Sequence, residues 1–154
     1  MSRVEIDLAD ATATENLGAA IAKKFMTAGK ARADNAVSIH LQGELGAGKT
    51  TLAQGLLRAM GVTGTIRSPS YTLLEPYETA HGTVLHVDLY RINAAHELEA
   101  LGLLDEAAHA ALLLIEWPER AAGLLPPPSL QIQLRHNAAG RRAAIVADAS
   151  WEKF

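Results

Sequence analysis

The 154-residue sequence contains no cysteine. That excludes a disulfide framework and thiolate catalysis, and it suits a reducing, cytoplasmic setting. A basic surplus is also missing: 14 lysines and arginines stand against 17 acids, for a net charge of −3. A chain that grips nucleic acid alone carries a positive excess, so contact with nucleic acid is expected only inside a larger complex. No apolar run approaches the roughly 18 residues of a membrane span, so no membrane role is expected. The opening "MSRVEIDLADATATENLG" spreads its charges and has no apolar core, which is unlike a signal peptide. The six histidines show no metal-ligand spacing.

Hydrophobic residues make up 49% and charged residues 20%, the balance of a folded chain with a substantial core. The length fits a single domain over residues 1–154. "RVEIDL" alternates and reads as a strand, "ADATATEN" offers cap residues, and Leu17, Ala20, Ile21 and Phe25 then form the apolar stripe of a helix that ends near Gly29. "AVSIHLQG" is a second strand, followed by a glycine-rich loop and a helix that stops at Gly61. "YTLLEPYE" and "TVLHVDLYRI" flank the turn "TAHG" as a hairpin, and Pro76 demotes its first strand to an edge. Short helical pieces break at Gly102, and "ALLLIE" reads as a buried central strand. A second hairpin spans "NAAG". Together these elements predict an α/β core with antiparallel extensions.

The segment "GELGAGKTT" satisfies G-x-x-x-x-G-K-[ST] between a strand and a helix, the setting that a P-loop needs. The predicted nucleotide contacts are Gly43, Glu44, Leu45, Gly46, Ala47, Gly48, Lys49, Thr50 and Thr51. Glycines let backbone N–H groups approach phosphate, and the helix that follows points its positive end at an anion. Lys49 brings a mobile charge to the outer phosphates, and the Thr50 hydroxyl suits Mg²⁺.

Hydrolysis further requires an acid near the metal. Glu116 closes "ALLLIE" and Asp88 follows "TVLHV"; both end strands at the edge where open α/β sheets bind ligands. On these residues alone either acid serves as the metal-side carboxylate. "RSPSYT" offers hydroxyls on a proline-stiffened turn, and Trp117 follows Glu116. His86 shares a strand face with Asp88, whereas His96 and His109 read as surface residues.

Taken together, "GELGAGKTT", "SPSYTLLEPY", "HVDLYRI", "ELEALGL" and "LIEWPE" resemble the bacterial TsaE (YjeE) ATPases of threonylcarbamoyladenosine synthesis on tRNA. The resemblance runs from about Leu8 to about Val146 and implies a three-layer P-loop NTPase-like fold with a mixed sheet of about seven strands. It implies ATP and Mg²⁺, with Thr50 and Glu116 holding the metal and Asp88 as the second acid, positioned to hydrogen-bond metal-bound or attacking water. Lys49, Asp88 and Glu116 would be the catalytic set. Ser68, Pro69, Ser70, Tyr71 and Thr72 would form a switch-like segment, with Trp117 next to the site. Ser70 stands where many relatives carry threonine, which keeps the hydroxyl. Adenine would lie between Asp10 or Ala11 and Gly140 with Arg141. The implied partners are TsaD and TsaB, with tRNA met only through that complex and hydrolysis resetting it.

Two other activities are disfavoured. Small-molecule and nucleoside kinases close an arginine-rich lid, yet no lysine or arginine lies between Arg91 and Arg120. The guanine-reading N-K-x-D of GTPases is absent. A nucleotide-gated binding subunit with incidental turnover has the same residues and remains the alternative.

Overall fold

A computed structural model describes residues 1–28, 36–69, 73–94 and 96–151. A seven-stranded mixed sheet runs in the order β1-β7-β6-β2-β5-β4-β3. Its strands are β1 (Ser2–Leu8), β2 (Val37–Gln42), β3 (Leu74–Thr79), β4 (Gly82–Asp88), β5 (Leu112–Glu116), β6 (Leu130–Asn137) and β7 (Gly140–Ala147). The helices are α1 (Ala11–Ala28), α2 (Lys49–Ala59), α3 (His96–Ala100) and α4 (Leu103–His109). The α/β class, the mixed sheet and both predicted hairpins are therefore present.

Each strand sits where its residues can be tolerated. All five residues of β5 are buried, and β5 pairs in parallel with β2 on one side and β4 on the other. A parallel strand covered on both faces reads as a continuous apolar run, as "LLLI" does. β3 is an edge strand, so Pro76 removes no ladder bond that a central strand would need. β1 forms the other edge, with Arg3, Glu5 and Arg142 of β7 exposed on its outer side.

Period-two alternation divides the apolar residues between two layers. Ile39, Leu41, Val84, Leu112 and Leu114 join the cluster under α1 and α2. Leu85, Val87, Leu113 and Ile115 join the second cluster with Leu98 of α3 and Leu103 of α4. His86, Asp88 and Glu116 share the parity of Val84 and Leu114, so they fall on the face that carries α2. α1 crosses α2 at backbone contact. A Cβ on Gly18 would lie 2.2 Å from Leu52 O, and one on Gly55 would lie 2.2 Å from Glu15 O.

Candidate nucleotide and metal site

β2 ends at Gln42, and residues 43–48 turn the chain into α2. Gly46 (φ 78°) and Gly48 (φ 106°) take left-handed backbone that side chains rarely adopt, which is why the tight loop needs glycine there. Among the described residues, the backbone amides of Gly46, Gly48, Lys49, Thr50 and Thr51 donate to no carbonyl. All five residues line an open cavity of about 360 Å³ together with Leu45, Ala47, Ser68, Asp88, Glu116 and Trp117. A row of unpaired amides at a helix start is an anion-binding cradle.

The loop's carbonyls face other partners. Arg141, at the start of β7, donates from Nε to Ala47 O and from Nη2 to Gly46 O, both at 3.0 Å. Lys49 Nζ donates to Gly43 O and, at 3.0 Å, to Glu44 O. The same ammonium lies 4.2 Å from the centre of the Trp117 indole, a cation–π contact. Lys49 is 5% exposed. Burial pushes its ammonium below the ordinary lysine range, while Glu116, Glu119 and Asp88 pull it back up.

Glu116 and Asp88 are register partners at the ends of β5 and β4. Thr50 Oγ1 donates to Glu116 Oε1 at 3.2 Å, which closes the gap between α2 and the sheet. The other oxygen, Glu116 Oε2, lies 2.7 Å from His86 Nε2. Asp88 stands one strand further out. Its Oδ2 accepts from Ser68 Oγ at 2.5 Å and its Oδ1 from the Tyr90 amide at 3.0 Å. Two acids at one sheet edge thus have different neighbours: Glu116 reaches the P-loop helix, and Asp88 reaches the segment that precedes β3.

Trp117 adopts left-handed backbone (φ 58°) directly after Glu116, and its amide bonds Leu41 O at 3.3 Å. That turn sends the indole toward Lys49 and Tyr90, whose ring centre is 4.9 Å away. Asp10 caps α1 by accepting from the Ala13 amide at 2.8 Å. Asp10 and Ala11 share a smaller cleft of about 100 Å³ with Gly48, Thr51, Gly140 and Arg141.

A family model described as threonylcarbamoyl adenosine biosynthesis protein TsaE matches residues 8–144. The chain belongs to the TsaE family. It is 36% identical over 124 residues to the tRNA threonylcarbamoyladenosine biosynthesis protein TsaE of Haemophilus influenzae, covering 80% of this chain and 78% of that one. The protein of the same name from Synechocystis is 38% identical, covering 76% of this chain and 71% of its own. The crystal structure of Bacillus subtilis YdiB superposes with a TM-score of 0.71 at 25% identity, over 95% of this chain and 86% of that one.

Within this TsaE-family fold, most of the predicted site residues converge. Leu45 to Thr51, Ser68, Asp88, Glu116, Trp117 and Arg141 line one cavity. Gly43 and Glu44 do not; they border a separate groove with Gln133 and Arg135 and serve through their carbonyls on Lys49. Pro69 is buried and donates its shape to the loop, its carbonyl accepting from the Leu73 amide at 2.8 Å. Ser70, Tyr71 and Thr72 lie outside the described residues. His96 and His109 are exposed, as expected. Sequence reasoning missed the bond between His86 and Glu116. Alternation placed His86 on the right face, but its partner belongs to a strand 30 residues away.

Proposed function

We propose that this TsaE-family chain binds ATP with Mg²⁺ and hydrolyses it in the cytoplasm, in support of the threonylcarbamoyl modification of tRNA adenosine. TsaD and TsaB are the proposed partners, and tRNA is met only through that assembly. The observation that carries the reading is the row of amides at Gly46, Gly48, Lys49, Thr50 and Thr51, unpaired among the described residues, around an open cavity with Lys49 behind it.

The donor set fits the metal as well. Among the described residues no group of three or more His, Asp or Glu forms a metal cage. Thr50 and Glu116 instead supply two oxygens, the pattern of Mg²⁺ that takes its remaining ligands from phosphate and water. Bound there, Mg²⁺ would neutralise charge on the outer phosphates.

The chain's own residues divide the remaining work. The loop amides bind phosphate oxygens, and the Arg141 guanidinium holds the Gly46 and Ala47 carbonyls away from them. Lys49 adds positive charge at the mouth, and phosphate nearby favours its protonated form against the effect of burial. Asp88, steadied by Ser68 and Tyr90, is the proposed base that orients water and takes its proton at a carboxylate oxygen. Trp117 walls the cavity beside Lys49. The cleft between Asp10, Ala11, Gly140 and Arg141 is the proposed seat of adenine.

The test measures phosphate release and tRNA modification with and without TsaD and TsaB. Slow hydrolysis by the chain alone, altered by the partners, is the expected result. Thr50→Ala and Glu116→Gln should each lower turnover by about 10²-fold or more, because each removes a direct metal ligand. Phosphate transfer to a small hydroxyl compound would make the chain a kinase instead. Modification that persists in Glu116→Gln without hydrolysis would make it a nucleotide-gated switch.

A further inference from the structure

His86 is wholly buried on β4, with none of its surface exposed. Its Nε2 lies 2.7 Å from Glu116 Oε2, while its Nδ1 has no partner among the described residues. A carboxylate oxygen only accepts, so Nε2 carries the proton and the tautomer is set by the bond. Burying an imidazole with one nitrogen unmatched costs stability that an apolar side chain would spare. The geometry shows what the imidazole does in return. Glu116 has two carboxylate oxygens, and among the described residues each has one hydrogen-bond partner: His86 on Oε2 and Thr50 on Oε1. With Oε2 tied, the carboxylate plane stops rotating, and Oε1 stays turned toward the helix that starts at Lys49.

We propose that His86 is a positioning residue for metal binding: its Nε2–H fixes Glu116 so that Oε1 and the Thr50 hydroxyl present a ready-made pair of oxygens. The inference rests on the assignment of Thr50 and Glu116 as Mg²⁺ ligands. His86 touches neither nucleotide nor metal and acts only through Glu116. A ligand held by a buried hydrogen bond loses less freedom when metal arrives, so the metal binds at lower concentration.

Three substitutions separate this role from simple filling of space. Gln places its Nε2 where the imidazole has its own and keeps the bond. Asn ends near the unpartnered Nδ1 and falls short of Glu116. Leu fills the volume with no donor. Binding of a fluorescent β,γ-imido ATP analogue would be followed without metal and across a Mg²⁺ titration. Circular dichroism and thermal melting would report folding for each protein.

In His86→Leu and His86→Asn, metal-free affinity should stay within about twofold of wild type. The Mg²⁺ concentration for half-saturation should rise at least tenfold, in the range that loss of such supporting contacts causes. His86→Gln should return it to within about threefold of wild type. If His86→Leu does not fold, the Gln and Asn pair carries the comparison alone. Equal Mg²⁺ midpoints in the Gln and Asn proteins, or a wild-type midpoint in either the Asn or the Leu protein, would overturn the proposal. A wild-type protein whose analogue binding ignores Mg²⁺ would instead overturn the metal assignment beneath it.

Discussion

Gly18 offers the sharpest test of how the fold builds the cradle. Replacing it by alanine would put a Cβ 2.2 Å from Leu52 O and 2.8 Å from Leu56 N. Close C···O contacts in proteins reach only about 3.3 Å, so α1 and α2 must separate by about 1 Å. The obstruction is backbone on a packed helix, which has no rotamer to give way. Overpacking of this kind costs about 3 kcal/mol at the upper end of its usual range. Alanine in a helix interior returns about 1 kcal/mol relative to glycine. The net loss is about 2 kcal/mol, which for a chain of this size lowers the melting temperature by about 4–8 °C.

The same push has a functional side. Leu52 lies in the first turn of α2, the turn whose amides line the cavity. Gly55→Ala obstructs the same crossing at Glu15 O, but later in α2. Both variants should lose similar stability, while Gly18→Ala should lose more nucleotide affinity. Differential scanning calorimetry with and without ATP analogue reads both quantities. A Gly18→Ala protein as stable as wild type would refute the close-packed crossing. Equal affinity losses in the two variants would refute the link from the first turn of α2 to the cradle.

Other outcomes follow from individual groups. Asp88→Asn should keep nucleotide affinity within about twofold and lower single-turnover hydrolysis by about 10²-fold or more, as loss of a general base does. A large loss of affinity in that protein would show that Asp88 supports binding instead. His40 is held below the ordinary histidine value of about 6.5 by burial, with the Pro126 backbone opposing more weakly. The unfolded chain therefore takes up a proton on that residue before the native protein does. Stability should fall as pH drops from about 6.5 toward the lowered native value, and be unaffected by this group at higher pH. His40→Gln should flatten the decline in urea midpoint over that window, and an unchanged pH slope would refute it.

Much of the site was readable because it is local. The P-loop is one continuous stretch whose glycines, lysine and threonine imply their own backbone shape. The central strand announced itself by its unbroken apolar run, and Pro76 marked an edge. The two acids were harder. Both Asp88 and Glu116 read as strand ends near a ligand, but their order relative to Thr50 depends on which strand neighbours β2. β5 is that neighbour and β4 is one strand further, about 4.8 Å away, so Glu116 meets Thr50 and Asp88 meets Ser68. No periodicity in either strand carries that information.

Other features left a signal that only a partner explains. Gly18 and Gly55 interrupt helical patterns, which marks a close approach without saying to what. The resemblance assigned Arg141 to adenine, and its guanidinium bonds the carbonyls of Gly46 and Ala47.

The amino-acid sequence by itself determined the elements, the anion-binding loop and the family, since each depends on residues close together in the chain. Which acid faces the loop's threonine was open in the residues themselves and came only with the family resemblance; tertiary structure alone decided which histidine holds that acid and which arginine ties back the loop's carbonyls. Those pairings join residues 30 to 95 positions apart, and strand order and register bring them into contact.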